Sequence, residues 1–101
     1  MRIAILLDDI FLSETRTGIK HIFLFEQDGG LVMAIGEELM RINNINYVCL
    51  WLLGKRVKEI YYDAFTASEK SLLMRLGLII RPFDEIKKNP LLQALLIKQH
   101  A

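Results

Sequence analysis

The alternation of apolar and polar positions along this 101-residue chain predicts strands in its first half and strands joined by helices in its second half. Residues 2–7 are apolar almost throughout, which is typical of a central strand covered on both faces of a sheet. Residues 10–12 and 21–25 predict a short and a long strand, and the Asp-Gly-Gly turn at 28–30 predicts a hairpin into the next strand. Residues 36–42 fit either the end of that strand or the start of a helix, and we favour a strand followed by a loop.

The second half of the chain contains a strand, a helix with defined ends and another strand. The strands are 58–62 and 78–80, which are rich in aromatic or β-branched residues. Thr66 and Glu69 have the spacing of a capping box, in which each side chain pairs with a free backbone N–H of the first helical turn. Gly77 can adopt the left-handed conformation that ends a helix. This order predicts two parallel strands joined by a helix, and therefore a sheet with a parallel half.

Two further helices are predicted to be apolar on more than one face. Residues 45–53 include a single polar residue, Asn46. In the last helix, 90–98, Asn89 has the position of a cap and Pro90 that of the first helical residue. We favour packing of these two helices against each other within one chain, and the alternative is a homodimer or a protein partner that covers them. The predicted inward stripe of the first helix is Ile45, Val48, Cys49, Leu52 and Leu53.

The composition is that of one globular domain, for which we predict the boundaries 1–101. Apolar residues make up 52% of the chain, which argues against a disordered protein. The net charge of +1 and the lack of a long basic run argue against a nucleic-acid partner. The apolar run near the start is too short to span a membrane, so we predict no membrane partner. Cys49 is the only cysteine and cannot form a disulfide within the chain, and we therefore predict a cytoplasmic protein.

Three aspartates lie just past predicted strands, at the end where open α/β sheets place their ligands. Asp8 and Asp9 follow the first strand, and Asp63 follows the strand at 58–62. Two such carboxylates can hold a magnesium ion, which is the basis of a Mg²⁺-dependent phosphodiesterase as an alternative function. Aspartates in turns more often terminate strands or cap helices, and the chain contains no conventional catalytic motif. We therefore predict that it is not an enzyme.

The order of the predicted elements and several motifs match the pattern of a known family. The motifs are Met1-Arg2-Ile3-Ala4-Ile5 before Asp8-Asp9, Ser13-Glu14 with Gly18, and Phe23-Leu24-Phe25-Glu26. In these features the chain resembles the dinitrogenase iron-molybdenum cofactor biosynthesis family, whose members bind that cofactor or its iron-sulfur precursors during nitrogenase assembly. The resemblance implies a ribonuclease H-like three-layer α/β fold, with N-terminal antiparallel strands and C-terminal parallel strands joined by helices. It also implies a small, non-enzymatic binding or carrier protein.

Two departures from the family pattern concern the ligand. Residues 15–18 read Thr-Arg-Thr-Gly where the family has His-Phe-Gly, and residues 63–68 lack the glycines of the corresponding family loop. A loop without glycine cannot bring its backbone amides as freely against a bulky anionic ligand. The cofactor is therefore left open between an iron-sulfur or iron-molybdenum cluster and none. The alternative function is an interaction or regulatory homodimer without a cofactor.

The candidate cofactor-binding residues come from the matching segments and from the predicted ends of strands and helices. They are Asp8, Ser13, Gly18, His21, Asp63 and Thr66. Imidazole and thiolate are cluster ligands, so His21 and Cys49 are the candidate metal ligands. Their structural alternatives are a half-buried strand residue and a small apolar residue on a helix. Thr66 precedes helical N–H groups that attract anions, although capping is the more frequent role of this position.

Overall fold

The apolar run at the start of the chain forms β1 (Arg2–Asp8), the central strand of a five-stranded sheet. The computed structural model describes residues 1–8, 19–41 and 45–100. Successive side chains of β1 enter different cores, because Ala4 belongs to the core on one face of the sheet and Ile5 to the core on the other. Both side chains are fully buried, which confirms the predicted central strand.

The sheet is mixed, with one antiparallel and one parallel half. The other strands are β2 (Ile19–Asp28), β3 (Leu31–Arg41), β4 (Val57–Tyr61) and β5 (Ile79–Arg81). Their order is β3-β2-β1-β4-β5; β2 is antiparallel to both β1 and β3, whereas β4 is parallel to both β1 and β5. This arrangement confirms the predicted α/β fold class, with N-terminal antiparallel and C-terminal parallel strands. The strand predicted at 10–12 lies outside the described residues.

The hairpin between β2 and β3 forms at the predicted turn. Asp28 and Leu31 are its last paired residues, so the turn contains two residues. Gly29, the first of them, has a φ of +61°, which glycine adopts without the steric cost that a Cβ brings. The ambiguous region at 36–42 is strand through Arg41, as we favoured.

β3 is at the edge of the sheet among the described strands, and its register is irregular. Leu24 pairs with Gly36, whereas the next residue of β2, Phe25, pairs with Ala34. Ile35 is therefore an extra residue, and the strand carries a β-bulge at this point.

Helices cover both faces of the sheet. They are α1 (Ile45–Gly54), α2 (Ala67–Arg75) and α3 (Pro90–His100), with a 3₁₀ helix at Phe83–Lys88 that the sequence pattern did not predict. α1 and α2 pack on one face, and the 3₁₀ helix and α3 pack on the other. The result is three layers. Among the described residues, no helix is long and apolar enough to cross a membrane.

The two ends of α2 have the geometry that its sequence predicts. The backbone N–H of Glu69 donates to Thr66 Oγ1 at 3.2 Å, and the Thr66 N–H donates to Glu69 Oε1 at 2.8 Å. At the other end Gly77 has a φ of +89°, and the N–H of Leu78 donates back to the carbonyl of Leu73 at 3.1 Å. These contacts confirm the capping box and the glycine termination.

The prediction that the helices at 45–53 and 90–98 pack against each other is wrong. Val48 and Leu52 of α1 are buried in the core on one face of the sheet, and Leu92 of α3 is buried in the core on the other. The sheet separates the two helices because the chain crosses to the second face after β5. Each helix packs one apolar side against the sheet, and its other side lies at the surface.

The outward side of α1 is apolar and exposed. Tyr47 is 55% exposed and Leu50 is 70% exposed. The prediction that Leu53 faces inward is wrong, since this side chain is exposed near the C-terminal end of the helix. Tyr47, Leu50 and Leu53 together form what we call the α1 outer surface.

Candidate functional site

Several candidate residues lie at the carboxyl edge of β1. β1 and β4 are neighbouring parallel strands, so Asp8 at the end of β1 and Asp63 just after β4 lie at the same edge. β2 runs antiparallel to β1 and places His21 beside Leu7 at this edge. Thr66 caps α2 three residues after Asp63. The topology therefore brings four predicted cofactor-binding residues to one edge, where open α/β sheets place their ligands.

The remaining sequence predictions fall elsewhere. Ser13 and Gly18, and also Asp9, lie outside the described residues. Cys49 is buried in the core between α1 and the sheet, and burial raises the pKa of its thiol. A buried neutral thiol is a poor ligand for a metal and a poor nucleophile. The structure therefore favours the apolar role of Cys49.

A cavity of about 170 Å³ opens at the carboxyl edge, and we call it the edge cavity. Most of its described lining residues are apolar, and the polar side chains among them are a carboxylate and a phenol. The lining residues are Leu6, Leu7, Tyr62, Asp63, Ala64 and Phe83. Tyr62 is held in place by an edge-to-face contact with Phe65, whose ring centroid lies 4.7 Å from its own.

Asp63 connects the edge cavity to the loop after β5. Its Oδ1 accepts a hydrogen bond of 2.8 Å from the backbone N–H of Phe83, which is the first residue of the 3₁₀ helix. A second cavity of about 120 Å³ lies on the other side of Asp63 and also contacts Lys70 and Arg81. The carboxylate thus fixes Phe83 at the cavity wall. Asp63 thus has the structural role that aspartates commonly have in turns. This role gives no support to the alternative of a Mg²⁺-dependent phosphodiesterase.

His21 is held by its own neighbours in the sheet. Its Nε2 lies 3.1 Å from Oε2 of Glu37 on β3, and its ring stacks on Phe23 with 4.1 Å between centroids. These two contacts favour the structural role of His21 as a half-buried strand residue over a role as a metal ligand. Within the ranges 1–8, 19–41 and 45–100, no three His, Cys, Asp or Glu side chains come together as a metal site.

Thr66 is occupied by helix capping. Its Oγ1 accepts from the Glu69 N–H and lies 3.2 Å from the Ser68 hydroxyl. The Glu69 carboxylate occupies the N-terminus of α2, where the helix dipole favours negative charge. An external anion would meet like-charge repulsion there. The geometry therefore favours capping over anion binding at Thr66.

The sequence pattern did not identify five of the six described residues that line the edge cavity, among them Tyr62 and Phe83. Tyr62 was assigned to the strand that precedes Asp63, and Phe83 lies in the 3₁₀ helix that no pattern predicted. Position along the chain could have indicated Phe83, because it follows β5 and the carboxyl ends of parallel strands meet at one edge of the sheet. No protein-family model matches this chain, and a comparison with curated proteins finds no match to it.

Proposed function

We propose that this chain is a non-enzymatic binding domain whose ligand occupies the edge cavity, a role that its resemblance to the dinitrogenase iron-molybdenum cofactor biosynthesis family implies. The observation that supports the proposal is the position of the cavity, at the carboxyl edge where β1 and β4 end. Ligand sites of open α/β sheets are formed at this edge because the loops that leave parallel strands surround it.

A metal cluster does not fit the described side chains at this edge. His21 already shares its Nε2 with Glu37, and the Cys49 thiol is buried in the core on the α1 face. In the part of the chain that the structure describes, neither His21 nor Cys49 belongs to a group of three side chains that could hold a metal ion. The proposed ligand is therefore a small organic molecule.

The lining of the edge cavity defines the chemistry of that ligand. Leu7 and Phe83 provide apolar lining, and the Asp63 carboxylate is the charged side chain among the described lining residues. Binding sites for small molecules combine such apolar walls with a few polar contacts that fix orientation. We therefore propose a ligand of fragment size with an aromatic or aliphatic body and one cationic or hydrogen-bond-donating group for Asp63.

Benzylamine has this combination of ring and ammonium group and is the probe for the test. We expect its titration into ¹⁵N-labelled protein to shift the amide signals of Leu6, Leu7 and Ala64 in a saturable way. Benzoate, in which a carboxylate replaces the ammonium group, is expected to shift them much less. Saturable shifts confined to other parts of the molecule, or none at all, would overturn the proposed site.

Asp63→Asn tests the role of the carboxylate and preserves the fold. The asparagine side chain retains an oxygen that can accept from the Phe83 N–H, so the loop keeps its anchor. We expect this variant to lose most of the benzylamine affinity, because the charge that pairs with the ammonium group is removed. Asp84→Asn is the matched control, since Asp84 is exposed and does not line the cavity.

Anaerobic reconstitution with iron and sulfide distinguishes the proposed ligand from a cluster. We expect the purified protein to take up no stoichiometric iron and to show no charge-transfer absorption. Stoichiometric uptake that is lost in His21→Ala would show instead that the protein is a cluster carrier.

The α1 outer surface supports self-association as a second candidate function. Its exposed apolar side chains belong to a helix whose opposite side is already buried against the sheet. Contiguous apolar surface of this kind marks interaction sites, and a two-fold arrangement would pair the same surface on both copies. We propose that two chains associate through α1.

Leu50→Glu tests this association because Leu50 is the most exposed residue of the α1 outer surface. We expect the wild type to show a concentration-dependent dimer in sedimentation equilibrium, and the variant to remain monomeric. Met74→Glu is the control, since Met74 is 63% exposed on α2. A wild-type protein that stays monomeric at millimolar concentration would exclude the α1 dimer.

A further inference from the structure

A further charged cavity lies at the opposite edge of the sheet, where β1 and β4 begin. It has a volume of about 250 Å³. It is lined by Met1, Arg2, Glu26, Arg56 and Lys58, and we call it the basic cavity. Its lining contains three cationic side chains and one carboxylate, in a chain whose overall net charge is only +1. Positive charge is therefore concentrated at this edge.

Arg56 enters the basic cavity from a backbone conformation that disfavours its side chain. Its φ is +60°, and it is the one residue other than glycine with positive φ among those described. Glycine adopts this conformation freely, whereas an L-residue with a Cβ is destabilised there. The turn after α1 would thus be more stable with glycine at this position. An arginine in a strained conformation points to a functional use of its side chain.

Lys58 occupies a second backbone irregularity. Arg2 pairs with Val57 and Ile3 pairs with Glu59, so Lys58 is an extra residue in β4. Such a bulge redirects a side chain, and bulges are common beside functional sites. Two backbone irregularities only two residues apart therefore each place a cation at the same cavity.

The one carboxylate among the described lining residues is already engaged by other groups. Glu26 Oε2 lies 3.0 Å from the Met1 amino group, and its Oε1 lies 3.5 Å from Arg2 Nε. The hydrogen bond from the Met1 amino group is the main reason that the pKa of Glu26 is lowered. Arg56 and Lys58 have no ion-pair partner within the described ranges. Their charges are available to a ligand.

We propose that the basic cavity binds the phosphate group of a phosphorylated ligand. Arg2, Arg56, Lys58 and the Met1 amino group together exceed Glu26 by three positive charges, an excess that favours the dianion which a phosphate monoester forms near neutral pH. Arginine guanidinium groups bind phosphate oxygens through paired N–H donors, and lysine contributes a compact charge. Arg2 also donates from Nη1 to the Lys55 carbonyl at 2.9 Å, and this contact holds its guanidinium at the cavity.

Calorimetric titration with inorganic pyrophosphate tests the site directly. We expect saturable binding by the wild type at constant ionic strength, and about tenfold weaker binding by Arg56→Gly and by Lys58→Ala, as expected for the loss of one charge-assisted contact. Lys87→Ala removes an exposed cation outside the cavity and is expected to bind as the wild type does. Equal losses in all three variants would overturn the site, because they would indicate non-specific attraction.

Arg56→Gly separates a binding role from a structural role. Glycine relieves the positive-φ strain, so we expect a melting temperature at or above that of the wild type together with weaker pyrophosphate binding. A lower melting temperature with unchanged binding would overturn the proposal, since Arg56 would then serve the turn alone.

Two further probes distinguish the sources of the phosphate group. Glycerol 3-phosphate represents a soluble phosphomonoester, and phosphatidylcholine vesicles containing phosphatidic acid present the same group on a lipid. Binding that weakens in Arg56→Gly and Lys58→Ala supports the proposal with either probe and identifies the source. If none of the phosphate probes binds in a way that depends on these two residues, the proposal is wrong.

Discussion

Nε of Arg81 donates to Oε1 of Glu59 across 2.8 Å, and this pair joins β5 to β4. The Glu59 side chain is only 8% exposed, whereas that of Arg81 is 41% exposed. Arg81 also lies 3.4 Å from Glu85 of the 3₁₀ helix, so one guanidinium connects three elements. Attraction to the Glu59 carboxylate is the main cause that raises the pKa of Arg81.

Arg81→Met is expected to lower the free energy of unfolding by about 2 kcal/mol, because it leaves the buried Glu59 carboxylate without its cationic partner. The value is below that of a fully buried pair, since water reaches Arg81 and screens the interaction. Urea denaturation measures the change. The double variant with Glu59→Met should recover most of the loss, and two strictly additive losses would contradict the pairing.

Tyr61 makes stability depend on pH in the alkaline range. Burial, and then hydrogen bonding to the Glu59 carboxylate, raises the pKa of Tyr61 to about 12. An unfolded tyrosine loses its proton near pH 10, so between pH 10 and pH 12 the unfolded state binds fewer protons and stability falls as pH rises. The stabilisation that comes from the buried, protonated phenol of Tyr61 is fully present below pH 10.

Tyr61→Phe should remove this part of the alkaline stability loss, which is measured as the difference in urea midpoint between pH 9 and pH 11.5. Tyr47→Phe is the control, since Tyr47 is exposed on α1. Identical pH dependence of the wild type and the Tyr61 variant would show that the phenol is not protected in the fold.

Thr66→Ala should reduce the free energy of unfolding by about 1 kcal/mol. The variant removes the acceptor for the Glu69 N–H and leaves the first turn of α2 with a free donor. Ser71→Ala, at an exposed position inside the same helix, should change stability by less than about 0.5 kcal/mol. Chemical denaturation of both variants checks the difference. A similar effect at the two positions would argue against the capping box.

Gly77→Ala should cost about 1 kcal/mol through the backbone alone. A Cβ at this position meets no atom within 4 Å, so the cost comes from the φ of +89° and not from a clash. Gly30→Ala is the matched control, because its added Cβ also meets open space and its φ lies outside the left-handed region. Thermal unfolding of the two variants measures the cost of a Cβ at positive φ against the cost of a Cβ elsewhere. Equal melting temperatures would contradict a cost that arises from the backbone conformation of Gly77.

Cys49 should react with a thiol reagent at pH 8 at least about tenfold more slowly in the native protein than in urea. Burial both shields the sulfur and raises the pKa of the thiol, so little thiolate is present or accessible. The release of thionitrobenzoate follows the reaction. A native rate equal to the unfolded rate would show that Cys49 is accessible, and it would return this residue to the candidates for metal binding.

Local sequence signals predicted the elements whose physical cause is local. The Thr66–Glu69 spacing, Gly77 and the turn at 28–30 each fix a backbone geometry within a few residues, and the structure has all of them. The mixed sheet followed from the order of these elements, because a helix between two strands favours a parallel pair.

The positions of α1 and α3 relative to the sheet could not be predicted in the same way. Both helices are apolar on several sides, so no polar face indicates which surface each must avoid. The face on which α3 packs depends on the path of the chain after β5, through a 3₁₀ helix with no clear sequence signature.

The charged and apolar sites depend on contacts between distant parts of the sequence. Arg2 and Arg56 share a cavity only because β1 pairs with β4, and Phe83 and Asp63 meet at the edge cavity through a hydrogen bond. A sequence pattern counts Lys55 and Arg56 as a short basic pair. The fold adds Arg2 and Lys58 to the same surface.

The bulge at Ile35 also affects how copies of this chain can aggregate. Among the described strands, β3 pairs only with β2, and Leu31, Met33 and Leu39 expose apolar surface along it. A long, flat edge strand of this kind is a template on which further chains add to form amyloid-like ladders. The extra residue breaks the regular spacing of hydrogen-bonding groups, and Glu37 and Glu38 place negative charge just beyond it. An incoming strand thus loses its register midway along β3, and growth into a continuous fibril is suppressed.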